Sequence, residues 1–402
     1  MMLFAACGSD DDPTNDDNGG GGGGSTEVPA MSASQAKQSL QSTANELLAK
    51  INVKEFEEFK QMLDAVDIEE SDAVSDWFDA AKEACKIEVS NADEAHLWKA
   101  SNFVGAFELQ NGIWKQTRKG GNDLTFTFND TQGKKCVMNV KASDEATKIH
   151  HESFDEEDWD SEGYTMRYVN QFMLPKTVNV TLTRDSKTRA TVVVNADVKT
   201  AGEIDLGKDE LEVTSVITVA DFQVNVSKAS YKAGKTAEAK AVVSKNGETL
   251  ITVTADGKGS YSSKDEDFTV GQMNATVDIL SKAKVVAAVS DVEMLNSNLE
   301  KADENDENET LFKQYVENAN KLINAKLYLN GSANSSAKLY LSPVPEEYVG
   351  AYGKYWDYET WMEFSDGSKY SVDSYFNEKD FKSVVDKIES IIDDFKDLFE
   401  ID

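Results

Sequence analysis

From residue 31 to about residue 89, apolar side chains return every three or four positions: Leu40, Ala44, Leu47 and Ile51, then Phe56, Phe59, Leu63 and Val66, then Val74, Trp77, Phe78, Ala81 and Cys85. That spacing follows the turn of an α-helix and predicts helices over residues 32–89, each burying one face. Ser32 with Gln35 makes a capping box for the first, and Ser71 is placed to cap the third. Near Asn102 the period falls to two, and residues 102–275 read as a long antiparallel meander. Asn111-Gly112 and Asn246-Gly247 mark its tightest turns, because both residue types accept the positive φ that a two-residue hairpin requires. Longer turns are expected at 130–133 and 184–187. Phe222, Val224 and Val226 alternate with Gln223, Asn225 and Ser227, the pattern of a sheet dry on one face and wet on the other.

Beyond the meander, residues 282–301 and 310–324 read as helices, 327–329 and 339–341 as strands, and 361–364 with 369–372 as a hairpin around Asp366-Gly367. The last helix is the plainest of all. Behind Asn377 come Phe381, Val384, Val385, Ile388, Ile391, Ile392, Phe395, Leu398 and Phe399, an apolar stripe with charged residues opposite. The expected fold is therefore α+β: N-terminal helices, then a β-meander over 102–275 that forms a curved sheet or half-barrel, covered by helices and aromatic hairpins over 282–402. Residues 31–402 are expected to form one large domain, because a sheet of so many strands must curl, close or be covered.

Composition narrows the partners. The formal charge of −32 sets the chain against nucleic acid, whose phosphates it would repel, and against an anionic leaflet as a docking surface. No apolar run reaches the roughly 18 residues that a transmembrane helix needs. At the N-terminus, Leu3-Phe4-Ala5-Ala6-Cys7 is followed by Gly8-Ser9-Asp10-Asp11-Asp12 and then by glycines from Gly19 to Gly24. Phe4-Ala5-Ala6-Cys7 resembles the lipobox at which bacterial lipoprotein signals are cut and the new terminal cysteine is acylated. The acidic residues behind it resemble the export signal of Bacteroidota surface lipoproteins. The resemblance implies a lipid-anchored protein of the outer membrane, facing the cell exterior, with lipid on Cys7. Residues 1–6 then read as a truncated signal-peptide remnant and residues 7–30 as a flexible acidic tether, spanning roughly 25 Å as a Gly-rich coil. The predicted outline is also similar to half-barrel lipoprotein folds in which a sheet is lidded by helices.

Candidate chemistry is sparse. No nucleophile-elbow, nucleotide-binding or HExxH pattern occurs, so a non-catalytic role is expected. Asp158, Asp160 and Glu162 stand at alternate positions before Gly163, like the opening of a calcium loop, although Val169 occupies the place of the closing glutamate. Calcium is the one cofactor this leaves open, with none as the main expectation. His96, His150 and His151 do not form a metal-ligand pattern, since adjacent strand residues face opposite ways. Cys85 and Cys136 form an even pair that permits a disulfide in an exported protein. Aromatic residues concentrate between Tyr348 and Phe376, and Tyr352, Tyr355, Trp356, Tyr358 and Trp361 are the candidate ligand-binding rings, suited to stacking on sugars or filling an interface. The expected function is a membrane-anchored, surface-exposed ligand-binding or interaction module, for a glycan, a hydrophobic ligand or a surface protein. The alternative is a glycan or peptide hydrolase using an Asp/Glu pair.

Overall fold

The computed structural model describes residues 31–66, 72–86, 94–144, 146–157, 164–202, 205, 207–262, 267–347 and 354–399, with only the backbone of 72, 94, 151–157, 164–168, 267, 268, 347 and 378. The expected α+β class holds. Helix α1 (Ala33–Ala49) begins at the capping box, Ser32 accepting from the Gln35 amide while the Gln35 side chain accepts from the Ser32 amide at 2.9 Å. A 3-10 turn, Val53–Phe56, leads into α2 (Glu57–Leu63), and α3 (Asp72–Glu83) follows. Ser71 lies outside the described residues.

Fifteen strands come next: β1 (Glu94–Lys99), β2 (Gly105–Gln110), β3 (Ile113–Lys119), β4 (Leu124–Asn129), β5 (Lys135–Ala142), β6 (Ala146–Glu157), β7 (Tyr164–Pro175), β8 (Thr177–Arg184), β9 (Lys187–Lys199), β10 (Glu210–Val219), β11 (Phe222–Lys232), β12 (Thr236–Lys245), β13 (Glu248–Ser262), β14 (Asp267–Ile279) and β15 (Ala283–Val289). Helices α4 (Val292–Asp303) and α5 (Glu309–Asn320), strands β16 (Ile323–Leu329), β17 (Ala337–Glu347), β18 (Lys354–Phe364) and β19 (Lys369–Ser371), and helices α6 (Val372–Tyr375) and α7 (Glu378–Phe399) complete the chain. The turn chemistry is as expected. Asn111, Gly112, Asn246 and Gly247 all have positive φ, and Asp185 and Ser186 adopt the same region between β8 and β9.

Sixteen strands share one hydrogen-bonded ladder, in the order β19-β18-β17-β16-β15-β14-β13-β12-β11-β10-β9-β8-β5-β4-β2-β3, which does not close into a barrel. The meander is interrupted at two places. Strands β6 and β7 leave the ladder and pair with β1 in a second sheet, β7 running parallel to β1. Ser143 and Thr177 clamp the base of this excursion through Ser143 N to Thr177 O and Thr177 N to Ser143 Oγ, so β8 takes its place beside β5. Strand β2 is also parallel to β4.

The helix expected over 282–301 is corrected: residues 283–289 are β15, and the helix starts only behind Asp291, whose side chain accepts from the Met294 amide. Val285, Val286 and Val289 are β-branched and favour the extended chain, but Val286 and Ala288 fill the wet positions, so the alternation is hidden in an apolar run.

By packing, the described residues fall into two compact units, one drawn from 31–51, 236–240 and 249–393, the other from 52–235, 241–248 and 394–399. In the first, odd-numbered residues of β15, β16 and β17 form a dry face with Met362 and Phe364 of β18. Ala283, Leu327, Leu329, Ala337, Met362 and Phe364 are buried there against Ala33 and Ala36 of α1 and Tyr375 of α6. The Tyr375 hydroxyl donates to the Ala33 carbonyl at 2.8 Å, and burial pushes its phenol pKa far up. Helix α5 covers the far end of β17, where Asn320 bonds both the N–H and C=O of Leu341 and stands in for a neighbouring strand.

In the second unit Met62 of α2 packs with Phe107, Trp114, Phe128, Cys136, Leu182 and Ala190 of the sheet. Beside this core, Arg184 donates to Asp130 at 2.6 Å and to Gln61 at 2.8 Å and meets Glu58 at 2.9 Å. The disulfide permitted between Cys85 and Cys136 does not form, both being buried free thiols. The Cys136 thiol turns to the Lys134 carbonyl of its own hairpin at 3.5 Å, while the Cys85 carbonyl takes the Leu97 amide.

Candidate functional site

Strand alternation divides the aromatic residues singled out by sequence. On β18, Trp356 and Tyr358 belong to the helix-covered side, where they pack with Phe312 and Tyr315 of α5, and the Lys313 ammonium sits 4.2 Å above the Trp356 ring. Burial, helped by Asp303 and Asp357, pushes the Tyr358 phenol pKa up. These two rings serve packing. Tyr355 and Trp361 have the opposite parity and point to the wet side. Tyr352 lies outside the described residues, as do Cys7, Asp158, Asp160 and Glu162. Among the described residues no group of His, Cys, Asp and Glu is arranged to hold a metal ion.

The wet side of β14–β18 carries a pattern that periodicity alone does not reveal. The pentapeptide Ala-Lys-Leu-Tyr-Leu occurs twice, at 325–329 and at 337–341. In β16 and β17 the two copies run antiparallel with Lys326 directly opposite Lys338. Leu327, Leu329 and Leu339 enter the dry core and Leu341 packs under α5, while both lysines and both tyrosines face the other way. Tyr328 and Tyr340 therefore flank the lysine pair on opposite sides, four residues or about 13 Å apart along the strands. Next to Tyr340 stands Trp361, its direct partner on β18, with the indole N–H donating to Glu359 at 3.1 Å. Beside Tyr328 stands Lys284 of β15, and opposite that Asp278 of β14.

At the Tyr328 end the face dips into a pocket of about 430 Å³, lined by Asp278, Lys284, Val286, Tyr328 and residues of the two adjoining turns. One oxygen of Asp278 is buried there without a hydrogen-bond partner among the described residues. Of the nearby lysines, Lys282 is paired with Glu46 at 2.5 Å and Lys369 with Glu363 at 3.4 Å. Lys284, Lys326 and Lys338 enter no ion pair among the described residues. Two lysines facing each other across a ladder are costly by about 0.2–1 kcal/mol, and the acid at their flank, Glu363 across from Lys338 on β18, is shared with Lys369.

The aromatic count pointed to Trp361 and Tyr355 but missed Lys326, Tyr328, Lys338 and Tyr340. The signal available was the repeated pentapeptide, which only the antiparallel register turns into a two-sided platform. A different corner collects acid: burial, Asp357 and Asp306 push the Asp303 carboxyl pKa above its ordinary value. Compared with protein-family models, curated proteins and solved structures, the chain matches none. Among the described residues no helix is long and apolar enough to cross a membrane.

Proposed function

We propose that the protein is a non-catalytic binding module, held on the outer membrane by lipid on Cys7 and facing the cell exterior, which captures its ligand on the lysine-tyrosine face of β14–β18. The observation that carries this reading is the duplicated Lys-Leu-Tyr, which sets two like charges opposite each other and brackets them with rings. Within the fold Glu363 flanks Lys338 and offsets part of that repulsion, and a negatively charged ligand over Lys326 would offset the rest. The face is polar and charged, which supports a polar ligand over a hydrophobic one. The lipobox-like Phe4-Ala5-Ala6-Cys7, the aspartates and the glycines, in that order, support the anchor and a tether that keeps the face clear of the headgroups. The hydrolase alternative rests on Asp303, a carboxyl whose pKa is raised by burial and by the neighbouring Asp357 and Asp306.

One experiment separates the two. The purified protein is incubated with a panel of glycans and peptides, and both retention and chain length are measured. The expected result is a ligand retained and returned uncut, with retention lost in Tyr340→Ala/Trp361→Ala. Cleavage products that disappear in Asp303→Asn, or equal retention by the face variant, would contradict the proposal.

A further inference from the structure

We propose that this face takes an acidic saccharide, a linear chain of sugar rings bearing carboxylates, an inference that rests on reading the face as the binding surface. Charge selects the ligand first. Lys284, Lys326 and Lys338 lie on three adjacent strands with no ion pair among the described residues; Asp278 stands across from Lys284 and Glu363, shared with Lys369, across from Lys338, so the positive excess centres on Lys326, while the chain as a whole is strongly acidic. Such a local excess of positive charge draws in an anion that the rest of the molecule repels. Ring geometry selects it next. Tyr328 stands on one side of the lysine pair, and Tyr340 with Trp361 on the other, about 13 Å apart along the strands.

Flat aromatic faces receive the C–H face of a sugar ring while its hydroxyls remain free at the edge. An acidic peptide offers the charge but not two flat apolar ring faces at fixed separation. Hydroxyls then need acceptors as well as donors. The buried, unpartnered oxygen of Asp278 and the Glu359 carboxylate beside Trp361 are acceptors at the two ends of the platform. The ligand accordingly lies across β16 and β17, carboxylates over Lys326 and Lys338, one end entering the 430 Å³ pocket beside Tyr328.

The test uses the full chain and isothermal titration with three probes: tetragalacturonate, its carboxyl-reduced counterpart, and poly-L-glutamate. Tetragalacturonate is expected to bind, with the reduced oligomer and poly-L-glutamate at least tenfold weaker. Lys326→Gln/Lys338→Gln is expected to weaken tetragalacturonate at least tenfold, whereas Lys387→Gln, on α7, leaves it unchanged. A reduced oligomer that binds as tightly as the acid, and is lost in Tyr340→Ala/Trp361→Ala, would overturn the acidic class while leaving the binding face intact. Tetragalacturonate binding that ignores both face variants would overturn the face itself. Absence of binding by all three probes, or equal binding of poly-L-glutamate, would overturn the saccharide assignment.

Discussion

Asp130 and Arg184 stand 54 positions apart in the chain and close one buried ion pair, the carboxylate fully shielded and the guanidinium 10% exposed. Burial alone would raise the Asp130 pKa. The amides of Lys134 and Gln132, together with the guanidinium, outweigh it and hold the carboxyl below its usual range. Asp130→Asn is expected to cost about 3 kcal/mol at pH 7, the low end for a broken buried pair, because Glu58 still faces Arg184. A depressed carboxylate contributes stability above its unfolded pKa of about 3.9 and loses it as pH falls through the folded value. Urea unfolding at pH 7 and at pH 3 should therefore show the gap between wild type and variant narrowing in acid; a constant gap would contradict the assignment. Both residues were legible as turn formers at 130–133 and 184–187, but their partnership was not, because it depends on which hairpins lie side by side. Cys136 is a similar case. Burial raises its thiol pKa and makes it a poor nucleophile, so Cys85 and Cys136 should escape a thiol reagent until the protein unfolds.

Among the elements, helix α7 shows how far an apolar stripe can be trusted. Phe381 and Val384 are buried at its start, while Ile388 is 41% and Ile392 49% exposed further along. The stripe was read correctly as a helix, and only its first turns do the full work of covering a core. Phe381→Ala should cost about 3–5 kcal/mol, and Ile392→Ala less than about 1 kcal/mol, in thermal or denaturant unfolding. Equal costs would show that the whole stripe is packed. The capping box at Ser32 and the turns at Asn111-Gly112 and Asn246-Gly247 were legible because their signals span four residues or fewer. Strand β15 was misread because valine and alanine occupy both of its faces. The excursion of β6 and β7 out of the ladder depends on the clamp between Ser143 and Thr177, whose partners lie 34 positions apart, beyond any local pattern.

Across the whole molecule, the net charge of −32 narrows the partners but does not name one. In the proposed reading that information sits on the wet face of β14–β18, opposite the side that packs against α1 and α6. The aromatic concentration singled out β18, whose register places Trp361 on the proposed face, while Trp356 and Tyr358 on the same strand pack under α5. The central claim is tested most directly at two neighbours in sequence, Lys326 and Leu327, by measuring unfolding free energy and tetragalacturonate affinity for Lys326→Gln and Leu327→Ala. Leu327, only 4% exposed, should cost about 2–5 kcal/mol of stability while the folded variant keeps its affinity. Lys326→Gln should be as stable as wild type or gain up to about 1 kcal/mol, and lose at least a factor of three in affinity. If both substitutions weaken stability alike and leave binding untouched, the wet face is ordinary surface and the account is contradicted.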